Sequence, residues 1–186
     1  MKNPYKFNKT ELHVIWFDPG GITGWAYSVV SYKAFSHPRQ KVLKNLLEWR
    51  TGEFEGTEHE QVTQALDLIR KGLYSGKNNT LTGLFEVGTE DFELTQLIGG
   101  KELLIPVRLN AVLDYQIHNL FGLKLFYQNR SMRTGVTRPR MKLWGLPPTS
   151  GKDAFAAAQH NLTYLKRVKI RADEITWKQY QLKGLK

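Results

Sequence analysis

Residues 16–27, WFDPGGITGWAY, constrain the fold more than any other part of the chain. An apolar run ends in one aspartate, Asp18, and the chain turns at once through Pro19, Gly20 and Gly21 into a second apolar run. This pattern predicts two strands joined by a tight turn, the first of them buried on both faces. A carboxylate there is costly to bury without a cation beside it, and the glycines let a ligand approach the backbone. The segment predicts a site for a divalent cation or a loop that cradles phosphate.

Strand-like and helix-like segments alternate along the rest of the chain. Strands are predicted over residues 12–17, 22–30, 46–54, 80–92 and 123–127, with a helix after each of the last three. A capping box of Thr57 and Glu60 begins the first helix, Gly122 ends the second, and the third begins near Ser150. The basic stretch 128–148 is predicted to be an irregular loop. Three strands in a meander, followed by alternating helices and strands, predict an α/β fold with a mixed sheet between helices.

The overall composition indicates a single domain with an ordinary hydrophobic core. The chain has 186 residues, of which 41% are hydrophobic, so residues 1–186 are interpreted as one domain with a core over about 12–167 and a polar C-terminal tail. No segment reaches the roughly 18 apolar residues of a membrane span, and the N-terminus lacks the apolar region of a signal peptide. Together with the absence of cysteine, these features predict a cytoplasmic protein with no membrane partner.

The net charge of +10, from 27 basic and 17 acidic residues, favours a polyanionic partner, of which nucleic acid is the first candidate. The charge is uneven, because residues 53–60 are acidic whereas 124–142 contain no acid. Five residues of the basic stretch are predicted to bind DNA phosphates: Arg130, Arg133, Arg138, Arg140 and Lys142.

Three carboxylates fall at the ends of predicted elements: Asp18 after the first strand, Glu90 at the end of the fourth, and Asp153 in the first turn of the last helix. Strand ends at one edge of a sheet can bring the first two together, and a helix packed over that edge can add the third. Oxygen ligands of this kind select Mg²⁺ or Mn²⁺. Two such ions would activate a water and stabilise the leaving oxygen of a phosphodiester.

Each acid also has a plainer interpretation. Asp18 is compatible with a turn residue that caps its own backbone, and Asp153 with a helix cap in a box that begins at Ser150. Glu90 has acidic neighbours that are ordinarily solvated, although alternation places it on the opposite face from Asp91. Glu86 is a further candidate in the same strand.

These residues together resemble the RuvC-like Holliday-junction resolvases of the RNase H-like nuclease superfamily, particularly the short phage-type members. The matching segments are FDPGGITGWA at 17–26, TEDF at 89–92 and KDAFAAAQHNLTYL at 152–165. The resemblance implies an RNase H-like fold with a central mixed five-stranded sheet, in which three strands form an antiparallel meander and two are parallel. It also implies Mg²⁺-dependent cleavage of Holliday junctions and other branched DNA, with Mn²⁺ able to substitute.

The resemblance implies metal ligation by Asp18, Glu90 and Asp153, a catalytic role for them, homodimers, and a phage protein acting in the cytoplasm of a bacterial host. Lys152, beside Asp153, is a candidate contact to the scissile phosphate. One departure concerns the family's fourth acidic or histidine residue, which would stand at Ser150. Either Asp153 acts with fewer partners, or a nearby group such as His160 substitutes. His160 lies about two turns after Asp153 on the same helix face, and its plainer interpretation is a structural histidine.

Other functions use the same features. DPGGITG also resembles the phosphate loop of sugar kinases and actin-like ATPases, whose amides and hydroxyl cradle nucleotide phosphates. A less selective flap or fork endonuclease would use the same metal site, as would an enzyme that cuts RNA–DNA hybrids. A branched-DNA-binding module without catalysis would keep the basic stretch and dispense with the three acids.

Overall fold

The computed structural model describes residues 11–31, 46–73, 84–92 and 104–174. Ten elements follow one another along these ranges: β1 (Glu11–Asp18), β2 (Thr23–Ser31), β3 (Leu46–Phe54), α1 (Glu58–Leu73), β4 (Leu84–Asp91), α2 (Ile105–Phe121), β5 (Leu125–Asn129), a 3₁₀ helix (Arg130–Gly135), α3 (Arg138–Leu143) and α4 (Lys152–Glu174). None of the described helices is both long and apolar enough to cross a membrane.

The strands form one mixed sheet in the order β3-β2-β1-β4-β5. β1, β2 and β3 pair antiparallel, whereas β4 runs parallel to β1 and β5 parallel to β4. The predicted architecture is confirmed: a central mixed five-stranded sheet flanked by helices, with an antiparallel meander of three strands and two parallel strands. Because β1 and β4 are parallel, their carboxyl ends lie at the same edge. Phe17 is paired with Thr89, so Asp18 and Glu90 follow in step.

The two faces of the sheet carry separate hydrophobic cores because successive strand residues point to opposite sides. Val14 and Trp16 belong to the core beneath α4, whereas Ile15 and Phe17 belong to the core beneath α1 and α2. A buried amide fixes how α4 lies on its face: Asn161 Nδ2 donates to the carbonyl oxygens of Val14 and Ala26, each at 3.1 Å. Buried polar groups need such partners, so this contact sets the position of α4 over β1 and β2.

Two predicted helix ends are confirmed, the start of α1 and the end of α2. The backbone nitrogen of Thr57 donates to Glu60 Oε2 at 2.7 Å, which confirms the capping box at the start of α1. Gly122, with φ of 65°, ends α2 as predicted, because this left-handed conformation suits glycine. The sequence also predicts a basic loop over 32–41, the end of the first helix at Gly76, the start of the second at Gly99 and Gly100, and a polar end over 178–186. These positions, like the predicted strand start at 80, lie outside the described residues.

The prediction of an irregular loop over 128–148 is wrong. This stretch contains the 3₁₀ helix and α3. Side-chain caps begin both: the side chain of Asn129 accepts a hydrogen bond from Ser131 N, and that of Thr137 accepts one from Arg140 N. Val136 and Met141 are buried against the core beneath α4. Two buried residues among many charges are too few for a hydrophobic period to stand out in the sequence.

A close backbone approach between β2 and α4 generates the first prediction. A Cβ on Gly24 would clash with the carbonyl carbon and oxygen of Asp153. We therefore expect Gly24→Ala to lower the free energy of unfolding by about 1–3 kcal/mol, since overpacking forces the backbone to shift. Urea denaturation measures the change.

Gly21→Ala is the matched control, because a Cβ at Gly21 meets nothing within 4 Å. Equal midpoints for the two variants would contradict the close approach of α4 to β2.

Candidate active site

Two predicted acids meet at the carboxyl edge of the sheet. Asp18 ends β1, and Glu90 lies one residue before the end of β4. The side chain of Asp18 is 13% exposed and that of Glu90 is 4% exposed. The alternation expected along β4 is observed, since Glu90 is buried and Asp91 is exposed. Asn110 of α2 fixes the strand end from the other face of the sheet by donating to Glu90 O at 2.9 Å.

His160 of α4 completes a compact cluster with these two acids. One potential ligand atom from each of Asp18, Glu90 and His160 lies within 4.8 Å of the other two. The imidazole is fully buried and stacks on Trp16 at a centroid distance of 5.9 Å. From the sequence, His160 is either an ordinary buried histidine or a substitute at the metal site. His160 has features of both: it is buried and hydrogen-bonded like a structural histidine, and it also lies in the acidic cluster.

The His160 ring faces two acceptors. Its Nε2 is 2.8 Å from Glu90 Oε2, and its Nδ1 is 3.1 Å from Gln128 Oε1. Burial lowers the pKa of His160, outweighing the hydrogen bond with Glu90 that raises it. A neutral ring has one N–H and can donate to one acceptor at a time. When Nδ1–H donates to Gln128, Nε2 turns a lone pair towards the carboxylates, which is the tautomer of a metal ligand.

Arg133 of the 3₁₀ helix lies against the same acids. Its Nη1 is 2.9 Å from Glu90 Oε2 and 3.6 Å from Asp18 Oδ1. Its side chain is 15% exposed, whereas the other four predicted DNA-binding residues are exposed. The sequence predicts that Arg133 binds DNA phosphates. In the structure its guanidinium forms an ion pair with the acids of the cluster.

The pKa values of the two acids are shifted in opposite directions. Burial, followed by the charge of Glu90, raises the pKa of Asp18 to about 7, and Arg133 offsets only part of this. Burial also tends to raise the pKa of Glu90, but the hydrogen bond with His160 and the charge of Arg133 together lower it. Two buried carboxylates that cannot both be cheaply ionised need more positive charge.

This donor set fits a divalent cation. Two carboxylates suit Mg²⁺ and Mn²⁺, and the imidazole shifts the preference towards Mn²⁺ relative to a site made only of oxygens.

Asp153 lies on the same cleft, an opening of about 370 Å³ whose lining includes Asp18, Glu90, Arg130, Arg133 and Lys152. Its negative charge contributes to the raised pKa of Asp18. Burial, followed by the charge of Glu53, raises the pKa of Asp153 itself. The structure thus brings all three predicted acids to one cleft, with His160 rather than Asp153 in the tight cluster.

Glu53 of β3 holds the start of α4, a role that sequence analysis missed. Its Oε1 accepts hydrogen bonds from the backbone nitrogens of Asp153 at 3.0 Å and Ala154 at 3.1 Å. Gly151 has φ of 84° and leaves no room for a Cβ beside this carboxylate. The backbone nitrogen of Asp153, which a capping box from Ser150 would bind, donates to Glu53 instead, so the prediction of that box is wrong. The pairing of Glu53 with Gly24 across β3 and β2 brings the carboxylate to α4, and no local pattern signals it.

The remaining predicted basic residues divide into two groups. Arg130 and Lys152 are exposed and line the cleft. Arg138 braces the segment before α4, since its Nη1 donates to Thr149 O at 2.9 Å and its guanidinium lies over the Phe155 ring. Arg140 donates to Gly135 O at 2.6 Å, and Lys142 is exposed on α3.

Two other candidates have structural partners. Glu86 is buried in β4, where it accepts a hydrogen bond from the Tyr164 hydroxyl. Thr23, the hydroxyl of the phosphate-loop alternative, is 2% exposed and donates to Gln61 Oε1 at 2.5 Å. Gln61 in turn donates to Gly21 O at 2.9 Å. The turn after β1 is thus bound to α1 through Gln61, and the Thr23 hydroxyl faces that amide instead of a ligand.

Comparisons with known proteins find only distant structural likeness. No family model matches the chain, and no curated protein matches it in sequence. A structure of Thermus thermophilus RuvC in complex with a Holliday junction substrate is 12% identical over 82% of this chain and 91% of that chain, with a TM-score of 0.46. Another T. thermophilus RuvC structure is 15% identical over 84% and 97%, also at 0.46.

An Aquifex aeolicus member of the Ppx/GppA family is 8% identical over 66% of this chain and 37% of that chain, with a TM-score of 0.37. Values this low leave the chain's own residues to carry any functional conclusion.

The contact between Glu53 and α4 generates the second prediction. Glu53→Ala removes an acceptor from two backbone nitrogens in the first turn of the helix, and we expect it to lower the free energy of unfolding by about 1–2 kcal/mol. Chemical denaturation followed by circular dichroism measures the loss.

Glu55→Ala is the control, because Glu55 is an exposed acid two residues away whose observed contact is through its backbone carbonyl. If both variants lose the same stability, Glu53 does not cap α4.

Proposed function

We propose that the chain is a divalent-metal-dependent endodeoxyribonuclease that hydrolyses phosphodiester bonds in branched DNA, Holliday junctions included. The observation that carries this proposal is the convergence of Asp18, Glu90 and His160, with Asp153 on the same cleft. Buried carboxylates in excess of the cations around them are a costly arrangement in a protein without a use for it. The exposed arginines and lysines near the cleft make a polyanion the appropriate substrate.

Asp18 and Glu90 would hold the cation, with Nε2 of His160 as the nitrogen ligand and Asp153 as a further carboxylate across the cleft. When bound, Mg²⁺ or Mn²⁺ would lower the pKa of a water nucleophile and neutralise charge on the leaving oxygen. With the cation bound, Gln128 would accept the Nδ1 proton of His160 and so keep the ligating tautomer in place. Without the cation, the proton on Nε2 donates to Glu90 instead.

The exposed basic residues bind the DNA backbone in this proposal. Lys152 and Arg130 stand on the cleft lining, within reach of a phosphate beside the acids. Arg140 and Lys142 extend the positive surface along α3, and Arg138 supports it from beneath the segment before α4. Contacts of this kind position a strand without reading its sequence.

The finer features of the resemblance complete the proposal. The enzyme acts as a single nuclease domain in homodimers, so that two active sites nick a junction symmetrically. It works in the cytoplasm of a bacterial host of a phage, and Mg²⁺ is its cofactor, with Mn²⁺ as a substitute.

The test uses labelled four-way, forked and linear duplex DNAs, incubated with the protein in Mg²⁺, in Mn²⁺ or in EDTA. The Holliday junction, the substrate of the T. thermophilus RuvC complex, is the first to try. Metal-dependent paired nicks in the four-way DNA are the expected result. Cutting of forks alone would favour a flap or fork endonuclease. Binding without cutting in either metal would favour the non-catalytic DNA-binding module.

Asp18→Asn provides the third prediction. We expect it to reduce cleavage by about a hundredfold or more, because it removes a charged ligand from the metal site. Junction binding should be kept or improved, since a negative charge near the phosphates is lost. Cleavage assays and gel-shift titrations of the same junction measure the two effects.

Asp91→Asn is the matched control, since Asp91 is an exposed carboxylate next to Glu90 on the opposite face of β4. It should cut at the unmodified rate. Undiminished cleavage by Asp18→Asn would overturn the assignment of the active site.

A further inference from the structure

The guanidinium of Arg133 lies against the two strand-end carboxylates that would hold a divalent cation. Its Nη1 contacts Glu90 Oε2 and Asp18 Oδ1, at 2.9 Å and 3.6 Å. These residues belong to the cluster whose potential ligand atoms lie within 4.8 Å of one another. A divalent cation on those same two oxygens would lie close to the guanidinium, and the two positive charges would repel each other.

We infer that Arg133 is a resident counter-ion of the metal-free site, and that a divalent cation must displace its guanidinium from Asp18 and Glu90 in order to bind. This inference rests on the proposed function, because it concerns the same metal site. It gives Arg133 a role different from that of the exposed arginines around it. Arg133 is then a positioning residue that sets how readily the site accepts metal.

The contact is of a kind that can be exchanged. Arg133 Nη1 is buried, yet it has no hydrogen-bond partner among the residues that the structure describes. Its attraction to Glu90 and Asp18 is therefore that of an ion pair without directed bonding. An ion pair is satisfied by any cation of suitable size. A divalent ion offers twice the charge and open coordination positions that the planar guanidinium lacks.

The backbone that carries Arg133 is held independently of this ion pair. Asn129 caps the start of the 3₁₀ helix, and Val136, just after its end, is buried in the core beneath α4. The carbonyl of Val136 also accepts a hydrogen bond from Gln159 Nε2 of α4 at 2.5 Å. The side chain alone therefore has to move, and the cleft in front of it is open to receive it.

Competition of this kind lowers the apparent affinity for metal. If the guanidinium is seated nine-tenths of the time, about a tenth of the molecules are ready for metal, and the apparent Kd rises about tenfold. Removing the guanidinium should therefore lower the apparent Kd for metal by the same factor. A purely structural role predicts the reverse, because loss of a supporting ion pair would loosen the ligands and weaken metal binding.

The experiment measures Mn²⁺ binding to the full chain by isothermal titration calorimetry, with electron paramagnetic resonance of free Mn²⁺ as an independent readout. We expect Arg133→Gln to bind Mn²⁺ about tenfold more tightly than the unmodified protein. In EDTA the same variant should melt at a lower temperature, because Asp18 and Glu90 lose their cation. Saturating Mn²⁺ should close that difference.

Two further variants separate competition from general effects. Arg140→Gln removes the same charge from the same basic segment, but Arg140 contacts a carbonyl oxygen, not the acids, so Mn²⁺ affinity should be unchanged. Arg133→Lys keeps the charge on a shorter side chain without the planar fork, and its affinity should lie between those of Arg133→Gln and the unmodified protein. It also serves if Arg133→Gln fails to fold in EDTA.

The outcomes distinguish this inference from the proposed function. If the unmodified protein binds Mn²⁺, Asp18→Asn abolishes that binding, and Arg133→Gln binds no more tightly, the metal site stands and the role of Arg133 is overturned. If Arg140→Gln gains as much affinity as Arg133→Gln, the effect is one of overall charge and the inference is likewise overturned. If neither the unmodified protein nor Arg133→Gln binds Mn²⁺, both the metal site and the displacement are refuted.

Discussion

The burial of the Glu90 carboxylate is the constraint on which the rest of the site depends. A strand end at a sheet edge is an easy place to put an acid, but this side chain is 4% exposed and has another carboxylate beside it. Its charge persists because His160 hydrogen-bonds to it and Arg133 lies against it, which together lower its pKa. Asp18 has a weaker share of that compensation, and its pKa rises to about 7. The two neighbouring acids thus differ in pKa, which is lowered for Glu90 and raised for Asp18.

Hydrogen bonds made by three side chains in different parts of the chain hold the elements that carry the site. Asn110 ties the end of β4 to α2 on one face of the sheet. Asn161 ties α4 to β1 and β2 on the other face, one position along the helix from His160. Glu53 of β3 binds the first turn of α4, which carries Asp153. The acids are therefore fixed by rigid elements, as a site with exacting geometry requires.

What the sequence predicted and what it missed differ in the range of the interactions involved. The strands and the cap at Thr57 follow from hydrophobic periods and neighbouring residues, so they could be read locally. The meeting of Asp18 and Glu90 needed only the further rule that parallel strands end at one edge. Glu53 bonds to residues a hundred positions away, and His160 to one seventy positions away. Nothing in their local sequence encodes either pairing.

The ion pair of Arg133 with the acids could not be predicted from the sequence for a related reason. In a stretch of five similar basic residues, composition gives each the same expected partner, a phosphate. The structure separates them by geometry: a turn of 3₁₀ helix directs one guanidinium inwards to the acids, while Arg130 and Lys142 stay at the surface. Side-chain direction is set by backbone conformation, and that conformation was itself hidden because charged residues outnumber the buried Val136 and Met141.

A nuclease of the proposed kind must place carboxylates next to phosphates, and the distribution of charge in this chain addresses that conflict. A net charge of +10 attracts a polyanion to the molecule as a whole, but it does little for the repulsion inside a partly dry cleft, where nearby charges dominate. Inside the cleft, the negative charge of the carboxylates must be neutralised by cations a few ångströms away. Arg133 supplies a positive charge against Glu90 and Asp18 before any metal arrives, while Lys152 and Arg130 stand where a phosphate would enter. The Arg133 guanidinium thus stabilises the buried acids in the metal-free protein. Because a divalent cation of higher charge can displace it, the site stays accessible to metal.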